Sequence, residues 1–191
     1  MLKIIAGRHK GRSLQAQIGN PSLRPTLGRV RQIMFDLLGP FYFQTAPRVL
    51  DGFAGTGALG LEALSRGAAH VTFIEKDLAS AKLLQETLVK WQEEAHASVI
   101  TGDFFAHLKT QDPSDLILLD PPYQEGMQKR IFTALTRISL VTPKTLVVLE
   151  MARDNDCVSL PSGWQLLKYR VSGPAQILML QKNISTNTPQ L

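Results

Sequence analysis

An α/β fold is what the pattern of this chain predicts: a mostly parallel seven-stranded sheet with helices on both faces and a small β-hairpin extension at the amino terminus. Three observations lead there. From Arg48 onward, short β-prone runs alternate with stretches of helical period. Some of those runs, Leu116–Leu119 above all, are apolar throughout, as strands buried on both faces are. A glycine-rich turn, Asp51-Gly52-Phe53-Ala54-Gly55-Thr56-Gly57-Ala58-Leu59-Gly60, joins the first of these strands to its helix.

Taken in order, Leu2–Ala6 and Ser13–Gln17 read as two short strands around Gly7-Arg8-His9-Lys10-Gly11, a hairpin with an exposed basic tip. Gly19-Asn20-Pro21-Ser22 is a loop. Val30, Ile33, Met34, Leu37 and Leu38 follow helical spacing, which leaves Arg29, Arg31 and Gln32 off the apolar stripe, and Gly39-Pro40 stops that helix. The strands of the main body are Val49–Asp51, Val71–Glu75, Ala97–Thr101, Asp115–Asp120 and Thr145–Glu150. Between them lie helices at 58–66, after the N-cap Asp77, at Phe104–Lys109 and near 126–139. Trp164–Val171 and Ile177–Gln181 form a closing antiparallel pair across Ser172-Gly173-Pro174. The expected organisation is a basic extension over 1–45, a main domain over 46–182 and a polar tail over 183–191.

Bulk properties narrow the function classes. With 191 residues, 44% hydrophobic and 19% charged, the chain can bury one sizeable core. No apolar run approaches the roughly 20 residues of a membrane span. Cys157 is the single cysteine, and no Cys/His spacing suits zinc. The expectation is a cytoplasmic protein with no metal and no membrane partner. The net charge of +5 is concentrated: Lys3, Arg8, Lys10, Arg12, Arg24, Arg29 and Arg31 precede the first acid, Asp36, so the rest of the chain is slightly acidic. A basic arm on an acidic body suits a polyanion, and Arg8, Lys10, Arg12, Arg24, Arg29 and Arg31 are the candidate phosphate contacts; a merely solvated charged terminus is the alternative.

The glycine turn satisfies the literal G-x-G-x-x-G spacing at Gly55, Gly57 and Gly60, and Glu75 ends the next strand, where it can hold ribose hydroxyls. NAD and S-adenosylmethionine both fit such a loop. Two residues favour the second. Asp51 opens the loop with an anion, which suits a sulfonium or ammonium better than a pyrophosphate, and Asp103 can accept from an adenine amine or simply cap the helix that follows it. His9, His70, His96 and His107 are scattered and read as surface or packing residues, while Trp91 and Trp164 sit in apolar patterns and read as core.

Asp120-Pro121-Pro122-Tyr123 ends the fourth main strand, at the edge where open parallel sheets bind ligands. The prolines lack N–H groups and restrict the chain, which holds the carbonyl near Pro121 outward. That carbonyl and the Asp120 carboxylate supply two acceptors for the two N–H bonds of an exocyclic amine, and the Tyr123 ring supplies a face for the base. A proline-rich turn with a packing tyrosine is the structural alternative.

With the hairpin, Leu23-Arg24-Pro25-Thr26, Val49–Ala68 and Asp120–Tyr123 in view, the chain resembles the RsmD family over about residues 3–181. Members are bacterial 16S ribosomal RNA (guanine-N2)-methyltransferases of the Rossmann-like class I fold. The resemblance rests on Ile4-Ile5-Ala6-Gly7 with Gly11-Arg12, on Arg24-Pro25-Thr26 with Arg29-Val30-Arg31, on the loop from Phe53 to Gly60, and on Glu62-Ala63-Leu64-Ser65-Arg66-Gly67-Ala68. It implies methyl transfer from S-adenosylmethionine to N2 of a guanine in 16S rRNA, within a small ribosomal subunit or an assembly intermediate. The implied cofactor residues are Asp51, Phe53, Gly55, Thr56, Gly57, Glu75, Asp103 and Phe104, with Asp120, Pro121, Pro122 and Tyr123 at the guanine. The chain departs from the family pattern at Leu27, Gly28 and Gln32, which leaves Arg29 and Arg31 without the usual acidic neighbours and free to meet phosphate. Other readings are an adenine-N6 or other amino methyltransferase on DNA or RNA, a non-catalytic RNA-binding assembly factor, and an NAD oxidoreductase that would leave Asp120–Tyr123 unexplained.

Overall fold

The computed structural model describes residues 2–14, 25–138, 140–153 and 160–183. Seven strands form one sheet: β1 (Arg48–Gly52), β2 (His70–Glu75), β3 (Ala97–Thr101), β4 (Leu116–Leu119), β5 (Leu146–Ala152), β6 (Trp164–Ser172) and β7 (Ala175–Lys182). Their order is β3-β2-β1-β4-β5-β7-β6. The first five are parallel, and β7 runs antiparallel to both β5 and β6, so the sheet is mixed at one end.

Side-chain alternation along these strands divides the core in two. Val49, Val71, Phe73, Leu116, Leu118, Val148, Ile177 and Met179 face one cluster, which α1 (Pro25–Leu38), α2 (Ala58–Arg66) and α3 (Leu78–Trp91) cover. Leu50, Ile74, Ile117, Leu119, Val147, Leu149, Leu178 and Leu180 face the other, under α4 (Phe104–His107) and α5 (Met127–Thr136). Asp77 caps α3 by accepting from the Ser80 amide at 2.8 Å. Both tryptophans are core, each 6% exposed. Strand ends differ from the sequence reading by one or two residues, and the expected helix over 104–109 closes as α4 followed by a 3₁₀ turn, Leu108–Thr110.

Of the expected hairpin, the structure describes one antiparallel bridge, Lys3 with Ser13, flanked by Ile4 N–H to Arg12 O (3.0 Å) and Leu14 N–H to Leu2 O (2.9 Å). The rest of its second run, the loop at 19–22, Arg24 and the tail 184–191 lie outside the described residues. The segment is not a free arm. Ile4 and Leu14 are buried in the α1–α3 core. Glu62, fully buried on α2, accepts from the amides of Ile5 (2.8 Å) and Ala6 (3.0 Å) and from Arg66 Nε (2.8 Å). At the turn, Arg8 N–H donates to Ser65 O at 2.8 Å, and a Cβ on Gly7 would stand 1.8 Å from that same carbonyl. Glycine is required there. His9 is buried against Trp91 and paired with Glu93, which also holds Arg8 at 2.7 Å.

Among the basic residues, Arg31 departs from the expectation. It does not project away from the core: it is 4% exposed, because α1 is covered on a second side by the amino-terminal segment and α2. Its guanidinium donates to Lys3 O and stands 3.8 Å from Glu62. It is not a surface residue free to meet phosphate.

Glu62→Ala leaves two backbone amides and Arg66 without their acceptor beneath the amino-terminal segment. The expected cost is about 3–5 kcal/mol of stability, as when one partner of a buried pair is removed, measured by urea unfolding.

Candidate active site

The same alternation that builds the core also builds the site. On the face covered by α1, α2 and α3, the rows 49-51, 71-73-75, 116-118 and 148-150 run toward the carboxyl edge of the sheet. Each of the first, second and last rows ends in an acid: Asp51, Glu75 and Glu150. Asp120 extends the third by one residue beyond β4. Because Leu119 pairs with Leu149, Asp120 and Glu150 come next on adjacent parallel strands and face each other. Four carboxyls therefore converge at the edge where open α/β sheets receive ligands.

The glycine turn wraps this edge. The amides of Phe53 (3.2 Å) and Ala54 (3.0 Å) donate to Ile74 O, and Phe53 takes φ +77°, uncommon for a non-glycine residue. Gly55, at φ +55°, has open space where a Cβ would be, whereas a Cβ on Gly60 would meet the Phe73 ring at 2.2 Å. Gly55 thus permits ligand approach, and Gly60 permits helix-on-sheet packing. Gly57 serves packing against a helix instead: its Cβ would stand 2.4 Å from Leu84 of α3, and it lines neither cavity described below.

Two cavities meet at this edge. The larger, of about 530 Å³, is lined by Phe53, Glu75, Asp103, Phe104, Asp120, Pro121, Pro122 and Tyr123, joined by Phe105, Arg130 and Glu150. The smaller, of about 150 Å³, is lined by Gly55, Thr56, Arg31, Asp120 and Glu150 among others. Phe53, Asp120 and Glu150 border both. One wall of the larger cavity is aromatic: the Phe53 and Phe104 ring centroids are 4.6 Å apart, and the Arg130 guanidinium lies 3.7 Å over the Phe105 ring. Tyr123 is 55% exposed, and its hydroxyl donates to Glu150 Oε1 at 2.8 Å.

Each expected cofactor acid already has a structural partner. Glu75 accepts from Gly55 N–H (2.6 Å) and Asp77 N–H (2.8 Å), one on each oxygen, and each oxygen keeps capacity for another donor. Asp103 caps α4 through the amides of Phe105 (3.0 Å) and Ala106 (3.2 Å) while lining the larger cavity. Asp51 sits beneath the loop, 1% exposed. Its Oδ2 accepts from Gly60 N–H at 2.8 Å, and its Oδ1 has no partner among the described residues.

Of the basic set, Arg8, Lys10, Arg12 and Arg29 are exposed. The turn carrying the first three docks at Ser65, near the end of α2 away from the glycine loop, roughly 13 Å along the helix axis. Two residues of the site escape a reading of the sequence. By pattern alone Glu150 is the last residue of an ordinary strand, although its parity with Val148 and the acid ending a neighbouring strand are visible signals. Helical spacing puts Arg31 on the surface, yet its Nε and Nη1 are buried without hydrogen-bond partners among the described residues.

Electrostatics follow from this crowding. Burial raises the Asp51 pKa to about 7; the Gly60 amide opposes the rise, and Asp120 and Glu75 add to it. Asp120 and Glu150 are both raised by burial, and the charge of Asp120 raises Glu150 further. The hydrogen bond between them lowers Asp120 and raises Glu150. Burial and then the Glu150 carboxyl raise Tyr123, which keeps its phenol neutral. Among the described residues no group of three or more His, Cys, Asp or Glu side chains is arranged to hold a metal ion.

A seven-stranded sheet in this order, with a glycine turn and the Asp120–Tyr123 turn on one edge, defines a methyltransferase-type α/β enzyme. The comparisons with known proteins agree and go further. The chain matches the family described as Conserved hypothetical protein 95 over residues 2–181. Ribosomal RNA small subunit methyltransferase D from Haemophilus influenzae is 36% identical over 177 residues, covering 90% of this chain and 89% of that protein. Its Escherichia coli counterpart is 32% identical over 182 residues, covering 95% and 90%. The solved yhhF structure from Escherichia coli superposes with a TM-score of 0.84 at 32% identity, covering 95% of this chain and 97% of the other. The chain belongs to the ribosomal RNA small subunit methyltransferase D family.

The raised Asp51 carboxyl has a consequence for stability. The unfolded chain gives up this proton near 3.8, whereas the folded state holds it to about 7. Stability from this group is thus fully present below the lower value and is lost as pH rises through the upper one. The melting temperature of the unliganded protein should fall from pH 5 to pH 8, and Asp51→Asn should flatten that fall.

Proposed function

We propose that the protein transfers a methyl group from S-adenosylmethionine to the exocyclic N2 amine of a guanine in 16S rRNA, on a small ribosomal subunit or an assembly intermediate. The observation that carries this reading is that Asp120 and Tyr123 share one cavity with Phe53 and Glu75, so an amine-gripping corner and a nucleoside-binding edge occupy the same space. The methyl donor fits the residues present. Its sulfonium is a cation, and the carboxyls of Asp51 and Glu75 at the glycine turn make that edge favourable to positive charge. A pyrophosphate would meet those same carboxyls at a cost, which disfavours a nicotinamide dinucleotide. Glu75 suits ribose hydroxyls, Asp103 and the Phe53–Phe104 wall suit adenine, and the smaller cavity with Gly55, Thr56 and Arg31 suits the amino-acid end.

The donor supplies a methyl already activated by its sulfonium; the chain supplies position and charge. Asp120 and a carbonyl of the Pro121-Pro122 turn accept the two N–H bonds of the guanine amine. This favours the positive charge and pyramidal geometry that develop as nitrogen attacks. As the new C–N bond forms, the C–S bond breaks and its electron pair remains on sulfur. The methylated amine is then acidic enough to release its extra proton. Tyr123, exposed but held at its hydroxyl, offers its ring to the base face. Alignment supplies much of the acceleration, since no strong base is needed. Lys10, Arg12 and Arg29 lie on the surface and suit phosphate; the distance of the first two from the cavity makes a long RNA the natural partner.

The direct test is incubation of small-subunit rRNA with isotope-labelled donor, followed by nucleoside mass spectrometry. Labelled N2-methylguanosine is expected; label in methyladenosine alone would refute the assignment. Asp120→Ala should lower transfer on the order of 10²–10³-fold or more while donor affinity by calorimetry stays close to wild type. Transfer retained with affinity lost would reverse the roles given to the two cavities. Replacing Lys10, Arg12 and Arg29 by Gln should weaken RNA binding and reduce its salt slope by about one for each phosphate no longer neutralised, as read by filter binding between about 50 and 200 mM salt.

A further inference from the structure

We propose that Glu150 is a positioning residue of this site: it stands beside Asp120 in strand register and accepts the Tyr123 hydroxyl, and so keeps Asp120 turned toward the substrate amine as an acceptor. The inference rests on the amino-methyl-transfer reading above and assigns a role to a residue outside the Asp120–Tyr123 motif.

Strand register brings the two acids together. Leu119 pairs with Leu149, so the next residues, Asp120 and Glu150, are neighbours on adjacent strands with side chains on one face. Glu150 is 4% exposed, yet it borders both cavities. Two ionised carboxylates so placed repel, and each lacks the water that would screen it; a single shared proton is the stable arrangement. That proton could sit on either acid. If Asp120 carried it, the oxygen facing an amine could be a donor, which is wrong for gripping N–H bonds. Burial raises both groups and the charge of Asp120 raises Glu150 further, so gripping an amine requires the shared proton on Glu150. The Tyr123 hydroxyl takes Glu150 Oε1 at 2.8 Å, leaving the other carboxyl oxygen for Asp120. Glu150 thus ties together the acceptor and the stacking ring, which the chain itself separates by two prolines.

The charged groups around it are consistent with this state. Glu75 on β2 adds negative charge along the same edge, and Asp51 on β1 holds its own proton to about pH 7. The guanidinium of Arg31, from α1, borders the smaller cavity, and its one ion pair among the described residues is with Glu62 at 3.8 Å. The β7 residues beside Glu150, Gln176 and Ile177, are uncharged. The surroundings therefore carry excess negative charge, which retains the proton.

The test compares Glu150→Ala and Glu150→Gln by methyl transfer to small-subunit rRNA across pH, by donor calorimetry, and by ¹³C carboxyl NMR of the unliganded protein. Glu150→Ala should lower kcat about 100-fold through misplacement of Asp120 and Tyr123, with donor affinity near wild type. Glutamine can donate N–H to Asp120 and accept from Tyr123, so Glu150→Gln should retain transfer within about tenfold. Its acid limb should stay near the wild-type one, because glutamine, like a protonated Glu150, is neutral while Asp120 titrates, whereas any alkaline limb from loss of the shared proton should vanish. In the wild-type protein the Glu150 carboxyl carbon should titrate above the ordinary glutamate range. A glutamine variant as impaired as the alanine one would make Glu150 a base and overturn the proposal, as would full activity of the alanine variant or an ordinary glutamate titration. If the wild-type protein transfers no methyl to RNA while the elevated titration is observed, the reaction reading fails and removes the role, although the proton-sharing pair stands.

Discussion

The site depends on a concentration of carboxyl groups at one end of the sheet. Asp51, Glu75, Asp120 and Glu150 share a strand parity and a sheet edge, so the fold cannot separate them without changing register. Hydrogen bonds from the glycine loop hold two of them: Gly60 N–H satisfies one oxygen of Asp51, and Gly55 N–H satisfies one of Glu75. The remaining charge is eased by protonation, as the raised Asp51, Asp120 and Glu150 show. A cation entering beside the glycine loop replaces the Asp51 proton as the counter-charge, which gives the fold a physical preference for positively charged ligands.

The surrounding structure keeps that edge rigid. α2 is pressed so closely onto the sheet that Gly60 has no room for a Cβ beside Phe73, and on the opposite face Gly52 has none beside Phe104 of α4. From the outside, the amino-terminal segment is tied to α2 through Glu62 and through Ser65, whose carbonyl and hydroxyl accept from Arg8 and His9 amides. Arg31 links the two, reaching Lys3 O while bordering the cavity with Gly55 and Thr56. The basic extension therefore has a structural function, whatever its exposed cations bind.

How much of this is legible in the sequence depends on the range of the interaction. Alternation of apolar runs with helical stretches exposes the sheet and its helices, because parity and period are local. Asp51 and Asp120 are visible because each ends a strand beside a glycine or proline signal, and Glu75 because it ends the strand that follows the glycine turn and its helix. Glu150 has no such neighbour; its meaning comes from register with β4, which only pairing defines. Arg31 misleads for a related reason. Helical spacing identifies the stripe facing the sheet, but not a second cover supplied by residues 2–14 from outside the helix. His9 becomes core through Trp91 and Glu93, both more than eighty residues away in the chain.

Charge also bears on turnover. On the proposed reading the donor enters as a sulfonium cation and leaves as a neutral thioether, so the attraction of the carboxyl cluster acts on the reactant and not on the product. At an effective dielectric of about 20, one charge pair separated by about 6 Å is worth roughly 3 kcal/mol, and proton uptake by the cluster offsets part of its loss. The edge therefore discriminates between the two by the charge on sulfur alone, with the same nucleoside contacts at Glu75 and Asp103 for both. An arrangement that is costly to the empty fold thus favours reactant binding and product release through one group of residues. The amine follows the same logic, since Asp120 gains most from it at the moment positive charge appears on nitrogen.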